Sequence, residues 1–327
     1  MSLFKNQLAG PTDPVADASW AQPQSRKGFF TDTSICIGCK ACEVACKEWN
    51  DVPAEEFFLL GSSYDNSGHL GANRWRHVAF IEQDAEAIRQ ARASSPVALG
   101  MPTVRLDDEQ ASATTDLDAV RAAADAVAAG TVPDFRWLMA SDVCKHCTHA
   151  GCLDVCPTGA LFRTEHGTVV VQPDVCNGCG YCVVACPFGV IERREDTGTV
   201  TNGGVAQKCT LCYDRISVGD MPACAQACPT TSIRYGDLDE MRAAAQERVD
   251  TLHRNGFPEA RLYGANEQDG VGGTGSVFLL LDEPEVYGLP PDPVVTTKDL
   301  PSMFTHAGAA GTAMLGVAIA VFLGGRR

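Results

Sequence analysis

Sixteen cysteines fall into four runs of four, with none between the runs. Run one is Cys36-x2-Cys39-x2-Cys42-x3-Cys46, and run two is Cys144-x2-Cys147-x4-Cys152-x3-Cys156. Run three is Cys176-x2-Cys179-x2-Cys182-x3-Cys186, and run four is Cys209-x2-Cys212-x11-Cys224-x3-Cys228. Pro157, Pro187 and Pro229 follow the last cysteine of runs two, three and four, whereas Lys47 takes that place in run one. Runs one and three carry the spacing in which three closely spaced thiolates hold one [4Fe–4S] cluster and the fourth reaches the other cluster of a pair. The C-x2-C-x2-C loop winds round one face of a cubane, and the x3 step begins a helix that carries the last sulfur away. Proline then turns the chain, because it fixes φ and has no N–H to donate.

Other cysteine chemistries fit less well. Tetrathiolate zinc sites show two C-x2-C pairs separated by a long loop, not a triplet. Thioredoxin-like redox chemistry would use one pair and leave most of these thiols idle. Covalent c-type haem needs histidine after the pair, where this chain has Lys40, Thr148, Gly180 and Tyr213. At 327 residues the chain is too long and too dilute in cysteine for a small disulfide scaffold. Its 26 basic against 41 acidic residues give a net charge of −15, which excludes the basic footprint of a nucleic-acid binder.

The elements that must position these thiols repeat. After Cys156, Cys186 and Cys228 the chain reads as a tight turn into a short strand, and 160–163 with 168–171 flank a hairpin turn at Thr164–Gly167. Nineteen residues separate Cys156 from Cys176, so runs two and three form a natural two-cluster unit, leaving run four to pair with run one. On that pairing Cys144, Cys147, Cys152 and Cys186 hold one cluster, and Cys176, Cys179, Cys182 and Cys156 a second. Cys36, Cys39, Cys42 and Cys228 hold a third, and Cys209, Cys212, Cys224 and Cys46 the fourth. Spacing leaves the pairing of one with two and three with four open.

Between runs one and two lies an insertion with a helical stretch at 116–129 and an acidic, solvated surface at Asp107–Glu109. Leu238–Leu252 reads as a helix and Ser276–Leu281 as a buried strand. Gly270–Gly275 matches G-x-G-x-x-G but precedes a strand, so it reads as a flexible loop without dinucleotide function. Lys40, Lys145 and Lys208 adjoin cluster cysteines and are candidates for tuning a potential. His146 and His149 could hydrogen-bond near a cluster but are not needed as ligands, and His306 reads as an interfacial residue. No nucleophile–base pair or phosphate-cradling loop is visible, so no substrate chemistry is expected of the chain itself.

Residues 300–325 contain no Lys, Arg, Asp or Glu and are followed by Arg326 and Arg327. About 20 mostly apolar residues suffice to span a bilayer. Small residues recur at Gly308, Thr312, Gly316, Ala320 and Gly324, a stripe that permits close approach of another helix. The two terminal arginines favour a cytoplasmic C-terminus and an extracytoplasmic head on a single-pass membrane protein. Met1–Trp20 lacks the apolar core of a signal peptide.

The stretch Lys27–Asn50, continued by Ser63–Asn66, Trp75–Phe80 and all four runs in order, resembles the beta subunit of membrane-bound, molybdopterin-dependent formate dehydrogenases. The similarity covers most of residues 27–290. It implies the pairing of runs one with four and two with three, and four [4Fe–4S] clusters. It also implies electron transfer from a formate-oxidising molybdenum or tungsten subunit to an integral membrane haem- or quinone-binding subunit. Export would ride on a twin-arginine leader of the catalytic partner. Related nitrate reductase subunits replace a run-four cysteine with tryptophan, whereas Cys212 is present here. A wire carrying electrons from quinol to another molybdopterin respiratory reductase is the alternative. The expected fold is α+β, with two paired bacterial-ferredoxin-like modules, an inserted segment and a C-terminal transmembrane helix. The expected boundaries are an extended arm over a partner (1–26), module A (27–50 and 187–240), the insertion (51–143), module B (144–186), a C-terminal extension (241–299) and the membrane helix (300–325).

Overall fold

The computed structural model describes residues 13–54, 65, 67–95 and 135–324. The helical stretch at 116–129, the acidic patch at 107–109, Ser63, Tyr64, Asn66 and the two terminal arginines lie outside the described residues. In chain order the strands are β1 (Lys27–Asp32), β2 (Arg76–Asp84), β3 (Phe135–Val143), β4 (Leu161–Arg163) and β5 (Val169–Val171). They continue with β6 (Glu192–Arg193), β7 (Ala206–Gln207), β8 (Ile233–Asp237), β9 (Arg261–Tyr263) and β10 (Ser276–Leu280). The helices are α1 (Pro14–Asp17), α2 (Ala41–Trp49), α3 (Ala85–Ala93), α4 (Gly151–Asp154) and α5 (Tyr181–Ala185). After these come α6 (Tyr213–Ile216), α7 (Ala223–Gln226), α8 (Leu238–Arg254) and α9 (Leu300–Gly324).

Phe29 and Phe30 in β1 are both buried, as are all five residues of β10, because these two strands lie inside a sheet of order β8-β1-β10-β9. Strands covered on both faces read as continuous apolar runs. β1 pairs parallel with β10 and antiparallel with β8, so the start of the chain, the return from run four and the 241–299 segment share one sheet. α8 packs on that sheet through Leu238, Met241, Ala245, Val249 and Leu252, which recur at helical spacing. Burying each larger aliphatic among them contributes about 1.5–3 kcal/mol. Asp239 and Glu240 in its first turn and His253 and Arg254 in its last suit the helix dipole.

The insertion supplies a nine-pair antiparallel hairpin, β2 against β3, running from Arg76 opposite Val143 to Asp84 opposite Phe135. β3 ends where run two begins. The β4–β5 hairpin forms around the 164–167 turn, with Gly167 N–H donating to the Thr164 carbonyl. The described part of the N-terminal arm lies on that hairpin of its own chain: Trp20 Nε1 donates to the Arg163 carbonyl at 2.9 Å, and Gln24 N–H to that of Glu165 at 3.0 Å.

One sequence expectation needs correction, and the departure at Lys47 has a structural consequence. The Gly270–Gly275 segment is not a free loop, because Thr148 and His149 donate backbone N–H groups to the Gly273 and Val271 carbonyls, and Gly275 donates to that of Lys145. It straps run two. In run one the helix does not hand its last cysteine to a turn. Lys47 has an N–H, so α2 continues through Cys46 to Trp49, whereas before Pro187 the helix α5 stops at Ala185.

α9 is one helix of 25 residues, of which Met303–Gly324 is long and apolar enough to cross a membrane. From Met303 onward its residues are exposed. Among the described residues the head has two cores. The larger joins the sheet to Cys42, Cys144, Cys209 and Cys224, and the smaller gathers Ala150, Leu161, Val169, Cys182, Ile191 and Ala206.

Candidate iron–sulfur centres

The four runs share a backbone device. The residue before the second cysteine is left-handed in each: Gly38 at φ +65°, His146 at +45°, Gly178 at +69° and Leu211 at +59°. Such residues fold successive N–H groups toward one side, a nest for an anion. In run four the Leu211 N–H donates to Cys209 Sγ at 3.3 Å. Gly38 also lies under the β2–β3 hairpin, where an added Cβ would stand 2.6 Å from Met139 Sδ and from Phe80 Cε1. A second device follows runs two, three and four. Gly159, Gly189 and Thr231 donate backbone N–H groups to the carbonyls of Cys156, Cys186 and Cys228, closing turns with proline second. Thr158 and Thr230 place hydroxyls 3.7 Å from Cys156 Sγ and Cys228 Sγ.

The thiols gather in fours. Cys36, Cys39, Cys42 and Cys228 line one cleft with Val78 and Ser141. Asn50 Nδ2 lies 3.8 Å from Cys46 Sγ and 3.9 Å from Cys212 Sγ, so α2 delivers Cys46 to run four. Burial pushes the Cys46 thiol up, and Cys209, Cys224 and Cys212 push it further. Cys147 is likewise raised by burial and by Cys144, Cys152 and Cys186. Cys182 is pushed up to about 11 by burial and by Cys176, Cys156 and Cys179. Cys42 is pushed up to about 11 and Cys209 to about 12, burial again leading.

These groups stand in single file. Cys42 of the first group feels Cys224 of the second, Cys209 of the second feels Cys144 of the third, and Cys152 of the third feels Cys182 of the fourth. Exposed thiols occur in the terminal groups only, at Cys39 and Cys179.

The donor set fits iron–sulfur clusters. A zinc ion bound at about 2.3 Å would draw four sulfurs to roughly 3.8 Å of one another. Among the described residues no three Cys, His, Asp or Glu converge as a single-ion site. Four thiols round a shared space suit the wider cubane instead.

The neighbours of the cysteines separate on inspection. Lys145 and Lys208 are 1% and 2% exposed, so neither is an ordinary surface lysine, while Lys40 pairs with Asp65 at 2.9 Å. His146 is held neutral by burial and by Lys208, Arg26 and Arg163. Its Nδ1 accepts the Val169 N–H at 3.2 Å, which assigns the ring proton to Nε2. His306 is exposed on α9. Two residues with no cysteine neighbour in sequence were not singled out by spacing. Arg76 and Ser141, hydrogen-bonded to each other across the β2–β3 hairpin, reach the first thiol group, and Ser141 Oγ lies 3.2 Å from Cys42 Sγ. The available signal was that Arg76 sits inside the Trp75–Phe80 block carrying the family resemblance.

Two family models, each described as a 4Fe-4S dicluster domain, match residues 35–160 and 135–238. The formate dehydrogenase iron-sulfur subunit of Haemophilus influenzae is 35% identical over 268 residues, 81% of this chain and 68% of the relative. The formate dehydrogenase-O iron-sulfur subunit of Escherichia coli K12 is 34% identical over 298 residues, 90% of this chain and 80% of the relative. Protein NrfC of the same organism is 32% identical over 217 residues, 66% of this chain and 67% of the relative. With its thiols in four groups and its sequence aligned along most of these subunits, the chain belongs to the family of formate dehydrogenase iron–sulfur subunits.

Proposed function

We propose that the sixteen thiolates hold four [4Fe–4S] clusters and that the chain carries electrons from a formate-oxidising molybdopterin subunit to a membrane quinone-reducing subunit. The single-file order of the thiol groups, with an exposed cysteine at each end, carries this reading. Bound clusters supply one-electron storage, and four thiolates apiece leave no open iron position for a substrate. The ligand sets are Cys36, Cys39, Cys42 and Cys228; Cys46, Cys209, Cys212 and Cys224; Cys144, Cys147, Cys152 and Cys186; and Cys156, Cys176, Cys179 and Cys182. Module A then comprises 27–50 with 187–240, and module B comprises 144–186. The protein buries all four thiols of the group at Cys46 and also Cys144, which excludes water there, and leaves apolar side chains exposed at both ends. Those are Ile37 and Val44 by run one, and Tyr181 and Val184 by run three.

The helix Leu300–Gly324 is the membrane anchor, with the head on the extracytoplasmic side. Purification of the intact complex tests the whole reading. Co-purification with a formate-oxidising molybdenum or tungsten subunit, at about sixteen irons and sixteen acid-labile sulfides in this chain, supports it. A clearly lower iron count removes the four-cluster assignment, and a quinol-linked reductase as partner replaces the first reading with the alternative. Protease protection in spheroplasts decides the topology: a head cut from outside supports it, and one cut only from the cytoplasm overturns it.

A further inference from the structure

Arg76, the first residue of β2, is 1% exposed and forms no ion pair with a carboxylate among the described residues. Its Nη1 donates to Ser141 Oγ at 2.9 Å and more loosely to the Ser141 carbonyl at 3.4 Å. Nε and Nη2 are buried and find no acceptor oxygen among the described residues. The Phe29 ring lies 4.9 Å from the guanidinium carbon and helps fix the plane of the group. Arginine keeps its charge in proteins. A buried charge left without a partner is strongly destabilising, so this one needs a counter-charge that side-chain carboxylates do not supply.

The neighbours are thiols of two groups. Burial alone would push the Arg76 guanidinium down, yet Cys224, Cys42, Cys209 and Cys46 hold it up. Ser141 completes a relay. Its Oγ accepts from Arg76, which leaves its own hydrogen to donate to Cys42 Sγ, 3.2 Å away.

We propose that Arg76 is the shared counter-charge of two adjacent clusters, those held by Cys36, Cys39, Cys42 and Cys228 and by Cys46, Cys209, Cys212 and Cys224, and holds both reduction potentials up. The proposal rests on the ligand sets given above. A cubane with four thiolates carries net negative charge and gains another on reduction, so a fixed cation beside it favours the reduced state. The group is buried, so salt screens it little. Because one charge serves both clusters, it raises them together and changes the step between them little. Arg76 thereby sets how readily this end of the chain accepts an electron without building a trap between neighbours.

Dye-mediated redox titration of the purified complex, followed by EPR, tests this with Arg76→Gln, Arg76→Lys and Ser141→Ala. In R76Q two of the cluster potentials fall together, each by about tenfold in the reduced-to-oxidised ratio, about 59 mV for one electron. R76K keeps the charge and shows a smaller shift. S141A lowers the potential of one cluster alone, the one that includes Cys42. An R76Q complex with full iron and unchanged potentials overturns the proposal. If R76Q loses iron while R76K retains it, the requirement for charge is supported. If both lose iron, S141A decides: a fall in one potential supports the role, and an unchanged set overturns it. Low iron in the wild-type complex would instead strike the ligand assignment, so the two failures are distinguishable.

Discussion

Three lysines stand next to cluster cysteines in sequence, and their surroundings make them unequal. Lys40 is consumed by its partners, Asp65 at 2.9 Å and Glu43 at 3.7 Å. Burial pushes Asp65 up, but hydrogen bonds from Ser67 and Lys40 hold it down at about 2, so this carboxylate is ionised at neutral pH. Lys145 is bonded to Asp142 and the Val143 carbonyl. Lys208 is different. Its Nζ donates to the carbonyls of Val169 and Cys209, and among the described residues it has no carboxylate partner. Its charge reaches Cys152, whose thiol it pulls down against a dominant rise from burial. Lys208→Gln keeps a donor for the carbonyls and removes the charge. The cluster at Cys144, Cys147, Cys152 and Cys186 should then become harder to reduce by roughly tenfold, about 59 mV, in an EPR titration. Lys40→Gln should move its cluster much less, because the pairs with Asp65 and Glu43 already neutralise that charge. An unshifted potential in K208Q would remove the tuning role.

Among the elements, the short ones decide where sulfur goes. α2 carries Cys42 and Cys46 four residues apart on one helix, yet delivers them to different thiol groups, so this helix bridges two centres. The loop before it depends on Gly38, which is left-handed and overlain by Met139 and Phe80. A non-glycine residue there costs about 1–3 kcal/mol in backbone strain, to which the overlap adds. Gly38→Ala should therefore destabilise the chain by more than about 2 kcal/mol in urea unfolding. It should also lose about four irons, one cluster's complement. Gly159 offers the control: it is left-handed at φ +70°, but an added Cβ meets nothing within 4 Å. Gly159→Ala should cost only the backbone term and retain its iron. Equal iron loss in both variants would argue that the turn itself, not the hairpin overhead, is what matters.

At the scale of the molecule, the head and the tail are separable. The sheet β8-β1-β10-β9 ties the first described strand to the segment just before the tail, so the head is closed before residue 300. α9 beyond Met303 adds no buried residue to either core. Deleting residues 300–327 and expressing the chain without its membrane partner should move it from the membrane fraction to the soluble one with iron content unchanged. A truncated chain that stays with the membrane, or loses iron, would show that the tail does more than anchor.

The residues of the sixteen thiols, their grouping into runs, the turns after Cys156, Cys186 and Cys228 and the apolar tail were all legible in sequence, because each rests on local spacing that backbone geometry translates directly. The α8 helix and the β10 strand were legible for the same reason, through their apolar periodicity. Spacing alone left the pairing of the runs open, since the contact of Cys46 with run four depends on α2 continuing past Lys47 and packing beside Asn50 and Cys212. Nor could it show that the 241–299 segment completes the central sheet, or that the G-x-G-x-x-G segment straps run two. Arg76 and Ser141 are 65 positions apart and carry no cysteine beside them. Only the register of β2 against β3 puts them together, and only burial leaves the arginine with thiols as its counter-charge. Local chemistry was written in the order of residues; which charges face which sulfurs was decided when distant strands paired and shut out water.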